Sequence, residues 1–142
     1  MAPDEFISMV AGAAQASMRE SNVPASFVIA EGALESGWGT SQLCTQACNM
    51  FGVKADPSWH GDTLDMPTRE FLNGQWCMVT AHWRSYPNYL YCIRDHAQFF
   101  LTNPRYMAAF HTIGGEAFAK ALMKVSTETR VSREFFPKSG IA

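Results

Sequence analysis

Between Pro24 and Gly37 the chain carries Phe27, Val28, Ala30, Ala33 and Leu34, with Glu31 and Glu35 as its only charged residues. A helix that is apolar over most of its circumference is not stable in water alone, so this one has to be central, wrapped by other elements. Pro24 suits the first helical turn and Gly37 the stop. Glu35 is thereby predicted at the C-terminal end of a central helix.

The flanking pattern supplies the wrapping. Asp4 to Glu20 places Phe6, Met9, Val10, Ala13, Ala14 and Met18 at mixed three and four spacing after a Pro3-Asp4 start, which predicts a helix. Thr40 to Ala47 reads as a short helix, and Asn49 to Pro67, rich in Gly, Pro and Asp, as irregular chain. From Thr68 to Arg84 the pattern changes: Asn73-Gly74 is a strong two-residue hairpin signal, flanked by Phe71-Leu72 and by Trp76, Met78, Val79 and Trp83. A turn centred there sets Glu70 opposite Cys77, on the face of Leu72, Val79 and Ala81. Helices follow over Cys92–Thr102, Arg105–Thr112 and Gly115–Val125, the first stopped by Asn103-Pro104. The expected fold class is mainly α (α+β): one helical domain over 1–142 with a small β-hairpin and no internal repeat.

At 142 residues the chain can bury roughly two thirds of its unfolded surface in a single core. A formal net charge of -2 provides no basic field, so nucleic acid is not an expected partner. No apolar run reaches transmembrane length, and no membrane insertion is expected. The start, Met1 to Phe6, lacks the features of a secretory signal, so export is either absent or directed by a signal outside this sequence. Cys44, Cys48, Cys77 and Cys92 lack the spacing of common zinc modules, and His60, His82, His96 and His111 form no spaced ligand set, so no metal or cofactor is expected. The cysteines read as buried thiols or, after export, as Cys77 paired with Cys92 and Cys44 with Cys48.

Glu35 carries the chemistry. A carboxyl group at a helix C-terminus faces the negative end of the macrodipole, and Leu34 and Trp38 would strip solvent from it. Glu31, four residues earlier on the same helical face, adds a like charge. All three effects favour the protonated form, as a general acid requires; the alternative is a solvated glutamate beside a turn. Gly37 and Gly39 bracket Trp38, so the turn either presents the indole to a sugar ring or caps the helix with a core tryptophan.

The segments Ala33-Leu34-Glu35-Ser36-Gly37-Trp38-Gly39 and Asn49-Met50-Phe51-Gly52-Val53-Lys54 resemble the signature of the glucosaminidase domain of glycoside hydrolase family 73. Trp59-His60-Gly61, Thr68-Arg69-Glu70-Phe71, Trp83-Arg84-Ser85-Tyr86, Asp95-His96 and Asn103-Pro104-Arg105-Tyr106 resemble further landmarks of that family in order. The resemblance covers residues 5 to about 124. It implies a lysozyme-like α fold with a β-lobe and hydrolysis of the β-1,4 bond between N-acetylglucosamine and N-acetylmuramic acid in peptidoglycan. Glu35 matches the family's general acid, and Glu70 the second acidic residue, to which water activation is often assigned. Tyr86, Tyr106, Phe51 and Lys54 match cleft positions, and with Trp38 and Asn49 they form the expected substrate-binding set. Carboxyl groups about 5 Å apart would favour a covalent nucleophile, and about 6.5 to 9.5 Å an activated water.

One departure stands out. Where the family has a Tyr-Ala-Thr-Asp-Pro segment after its last helix, this chain has Val125-Ser126-Thr127-Glu128-Thr129-Arg130-Val131, with Thr127 near the tyrosine position. The tail Glu134-Phe135-Phe136-Pro137-Lys138 lacks the usual closing helix. The alternatives to an endo-β-N-acetylglucosaminidase are a muramidase or lytic transglycosylase on the same scaffold, or a non-catalytic glycan-binding module. The expected setting is a monomer on peptidoglycan strands, as a periplasmic or extracellular autolysin or a phage-encoded lysin.

Overall fold

The computed structural model describes residues 1–129. In chain order these form α1 (Pro3–Ser21), α2 (Ala25–Ser36), α3 (Gln42–Ala47), β1 (Thr63–Leu72), β2 (Gln75–Arg84), α4 (Tyr89–Thr102), a 3₁₀ segment (Pro104–His111) and α5 (Gly115–Thr129). The lysozyme-like helical domain with a hairpin lobe is what the fold shows.

Helix α2 is central: α1 and α5 pack on it, and α1 also packs on α4. From α1 the buried stripe is Phe6, Val10, Ala14, Ser17 and Ser21, narrower than expected, because Met9 and Met18 are each 38% exposed. Aromatic edges close the core, with Phe27 of α2 meeting Phe100 of α4 and Phe118 of α5 at 5.9 and 5.1 Å. Pro24 serves as the N-cap of α2, one residue before its first turn. Leu34 is 74% exposed, so α2 is not covered on every side.

The hairpin has the expected register, Glu70 opposite Cys77, and both turn residues take positive φ (Asn73 52°, Gly74 80°), as a primed two-residue turn requires. Its first strand begins at Thr63, five residues before the expected start, so the irregular stretch ends at Asp62. Pro67 misled that expectation; a two-stranded sheet has only edge strands, and these tolerate proline. Leu43 of α3 packs with Met66, Ala81 and Trp83 in a second apolar cluster that seats the hairpin root. Residues 53–55 extend the pairing: Arg84 N–H donates to Val53 O (3.1 Å) and Ala55 N–H to His82 O (2.8 Å).

Three further expectations are corrected. α4 starts at Tyr89, where Asn88 caps it by accepting from Tyr91 N–H, and residues 104–111 wind as 3₁₀ behind Pro104. α5 runs on to Thr129, so Thr127 lies within the last helix rather than after it. Glu134–Lys138 lie outside the described residues. Cys92 is buried in α4 with Cys44 and Cys48 as its thiol neighbours, whereas Cys77 is near the hairpin tip; all four are free thiols. Among the described residues, no helix is long and apolar enough to cross a membrane and no group of His, Cys, Asp and Glu could hold a metal ion.

Candidate active site

α2 ends in a turn built by its own sequence. Gly37, Trp38 and Gly39 are all left-handed (φ 57°, 56° and 80°), a run that two glycines make accessible and a lone tryptophan tolerates. A Cβ at Gly39 would stand 3.0 Å from the Phe6 ring, so that glycine is also required for close packing. Ser36 fixes the turn from beneath, its Oγ donating to Gly32 O (2.5 Å) and accepting from Gly39 N–H (2.8 Å). Trp38 is 39% exposed and rests edge-on against Phe6 at 5.9 Å, which combines the two readings of it: one edge caps the helix and the remainder is open.

Glu35 precedes this turn, half-buried, without a hydrogen bond or ion pair to any described side chain. Its carboxyl is pushed up to about 7, first by burial, then by the charge of Glu31, with His96 acting the other way. Leu34 points outward and is not what removes the solvent, contrary to expectation. Glu31 is the expected like charge, and it is itself buried at 7% exposure. His96 of α4 answers it: its Nε2–H donates to Glu31 Oε1 at 3.1 Å. Phe51 stacks on the imidazole at 3.8 Å, nearly parallel, and Phe100 meets its edge.

His96, one of four histidines without a spaced ligand pattern, is brought by the fold against Glu31. The available signal was Glu31 itself: a charged residue inside an apolar helix needs a buried partner.

The second acid belongs to the hairpin. Glu70 shares its face with buried Met66 and Thr68, and Lys54 Nζ holds its Oε1 at 2.5 Å. Lys54 comes from the segment that extends the sheet beside Trp83, and its ammonium lies 5.7 Å from that indole. The ion pair therefore ties the loop after α3 to the strand that carries Glu70.

Four of the expected substrate-binding residues are buried and engaged with the framework. Asn49 is fully buried; its Nδ2 donates to Val53 O and Arg84 O (3.0 and 2.9 Å) and its Oδ1 accepts from Val53 N–H (3.1 Å). Phe51 is fully buried behind His96. Tyr86 is buried, with its hydroxyl donating to Asp95 Oδ2 at 2.6 Å, and burial drives its phenol far above the ordinary range. Tyr106 is packed against Phe99 and Phe100. Their polar and aromatic groups are occupied inside the protein, which leaves Trp38 and Lys54 accessible from the expected set.

Arg84 completes the scaffold. Its guanidinium bridges Asp95 (2.7 Å) and Asp56 (3.2 Å), donates to Lys54 O (3.1 Å) and lies over Trp59 at 4.9 Å. Loop 49–62, the hairpin root and α4 are thus fixed together.

Comparison with known proteins agrees with this geometry. Residues 11–131 match the Glucosaminidase family model, described as mannosyl-glycoprotein endo-beta-N-acetylglucosaminidase. The chain is 34% identical over 128 residues to the peptidoglycan hydrolase FlgJ of Escherichia coli (strain K12), a match covering 87% of this chain and 41% of that protein. It is 36% identical over 96 residues to the exo-glucosaminidase LytG of Bacillus subtilis (strain 168), covering 68% and 33%. It therefore spans about two fifths or less of these two relatives. The solved C-terminally truncated glycoside hydrolase domain of Salmonella typhimurium FlgJ superposes with a TM-score of 0.78 at 32% identity, over 94% of this chain and 93% of that one. By family match, sequence relatives and fold together, this chain belongs to the glucosaminidase family of glycoside hydrolases.

Proposed function

We propose that the chain is an endo-β-N-acetylglucosaminidase that hydrolyses the β-1,4 bond between N-acetylglucosamine and N-acetylmuramic acid in peptidoglycan. The observation that carries this reading is Glu35: a carboxyl group raised to about 7 at the end of α2, beside the half-open Trp38. At neutral pH about half of such groups hold a proton to give. Glu35 donates that proton to the glycosidic oxygen as the bond to the anomeric carbon breaks. Glu70, held by Lys54, assists attack of water on the anomeric carbon, and the acetamido oxygen of the sugar is a further internal nucleophile for the same position. Trp38 offers its open face to a sugar ring. The enzyme acts on peptidoglycan strands in the periplasm or cell wall, as a monomer without a cofactor; the similarity to a relative named as a peptidoglycan hydrolase supports the substrate.

Glu35→Gln tests the reading. It is expected to abolish clearing of a cell-wall suspension with folding intact; retained clearing overturns the assignment. Mass spectrometry of the wild-type digest defines the bond cut. Reducing-end N-acetylglucosamine supports this activity, reducing-end or anhydro N-acetylmuramic acid supports a muramidase or transglycosylase instead, and binding without clearing supports a glycan-binding module.

A further inference from the structure

The buried pair beneath Glu35 has features that a purely structural ion pair lacks. Glu31 is 7% exposed and His96 6%, so both titratable groups are withdrawn from water. A buried carboxylate ordinarily collects several donors. Glu31 has one, His96 Nε2–H at 3.1 Å, and its Oε2 is buried with no hydrogen-bond partner among the described residues. Leaving a buried carboxylate oxygen unsatisfied costs stability, and a site that tolerates such a cost usually gains function by it. Glu31 also precedes Glu35 by one helical turn, the spacing at which side chains on a helix face each other.

The charges acting on Glu35 are Glu31 from its own helix and His96 from α4. Among the other charged groups on neighbouring elements, Asp4, Glu5 and Arg19 of α1 and Lys124 of α5 are exposed, and several more are engaged elsewhere. Asp95 of α4 faces Arg84 and Tyr86, Arg94 of α4 is paired with Glu20 of α1, and Glu70 of β1 is paired with Lys54. α5 carries an exposed Glu116–Lys120 pair.

We propose that Glu31 and His96 are positioning residues of the reaction: a buried pair, touching no substrate, in which Glu31 holds the acid's proton on Glu35 and His96 opposes it. The two act on Glu35 in opposite directions, Glu31 favouring its protonated form and His96 the release of its proton. Phe51 fixes the pair by stacking on His96, which gives this buried aromatic a role one step from the chemistry. The inference rests on the assignment of Glu35 as the acid, but its test does not.

The test is a titration of the Glu35 carboxyl by carbon NMR in the folded wild type and in Glu31→Gln, Glu31→Asp and His96→Gln, with no substrate present. Glu31→Gln removes the charge and keeps the shape, so the Glu35 midpoint is expected to fall by about one pH unit or more. Glu31→Asp is expected to restore much of it, and His96→Gln to raise it above wild type. In activity measurements the alkaline limb of kcat/KM moves in the same direction while KM stays unchanged. A Glu35 midpoint unchanged in Glu31→Gln overturns the proposal, as does a uniform loss of activity at every pH. If Glu31→Gln does not fold, His96→Gln carries the test, and an unchanged midpoint there overturns it. If neither folds, the pair serves the core and the proposal fails. A wild type inactive on peptidoglycan would remove the function proposed above while leaving this titration to stand or fall by itself.

Discussion

Asn49 separates a framework role from a substrate contact most cleanly. Replacing it with alanine removes three part-buried hydrogen bonds: two from Nδ2 to the carbonyls of Val53 and Arg84, and one from Val53 N–H to Oδ1. Val53 N–H loses its acceptor and two carbonyls lose a donor, next to a side chain that is itself buried. At about 1 kcal/mol for each bond, the loss is about 3 kcal/mol. For a domain of this size that lowers Tm by about 10 °C. Calorimetry of the wild type and Asn49→Ala measures it directly. Kinetics taken well below both melting temperatures should then show KM within a few-fold of wild type, because no atom of Asn49 is free for a glycan. An unchanged Tm together with a KM raised tenfold or more would refute this reasoning and restore Asn49 as a contact residue.

Glu35 makes stability depend on pH with a definite sign. Its folded value of about 7 lies above the ordinary 4.5, so its favourable contribution is full below 4.5 and is lost as pH rises through 7. Glu35→Gln should therefore melt a few °C above wild type at pH 8 and level with it at pH 4. Lys54→Met frees Glu70 from its cation; the pair is substantially exposed, so stability should change by under about 1 kcal/mol, while kcat/KM falls about tenfold or more as the hairpin carboxylate loses its position. Equal losses in Tm and activity would count against that role. Thiol labelling followed by peptide mass mapping should modify Cys77 first and reach Cys92 only on global unfolding, since Cys92 is fully buried and burial pushes its thiol up; rapid native labelling of Cys92 would contradict the packing.

Much of this architecture could be read directly from residue pattern. The apolar run of α2, with a proline before it and a glycine after it, determines both its central place and the position of Glu35. Asn73-Gly74 determines the hairpin register, because the turn needs two positive φ values and few dipeptides supply them. The length of β1 was not legible, since Pro67 reads as a breaker until it is known that the sheet has only edges. Burial was the harder property: Asn49, Tyr86 and Tyr106 have side chains that suit a cleft or a buried network equally well, and only tertiary contacts decide between them. Leu34 shows the same limit in reverse, apolar in type yet facing water. The Glu31–His96 pair joins residues 65 apart in sequence, a separation that no local pattern reports.

The central claim is that Glu35 gives up a proton at neutral pH because burial and Glu31 hold it there. It is tested most directly by the pH dependence of kcat/KM for the wild type on a defined peptidoglycan glycan, with Glu35→Gln measured alongside. An alkaline limb with its midpoint near 7, and no turnover at any pH in the variant, is the expected result. A limb near 4.5, or turnover that survives in Glu35→Gln, would contradict it.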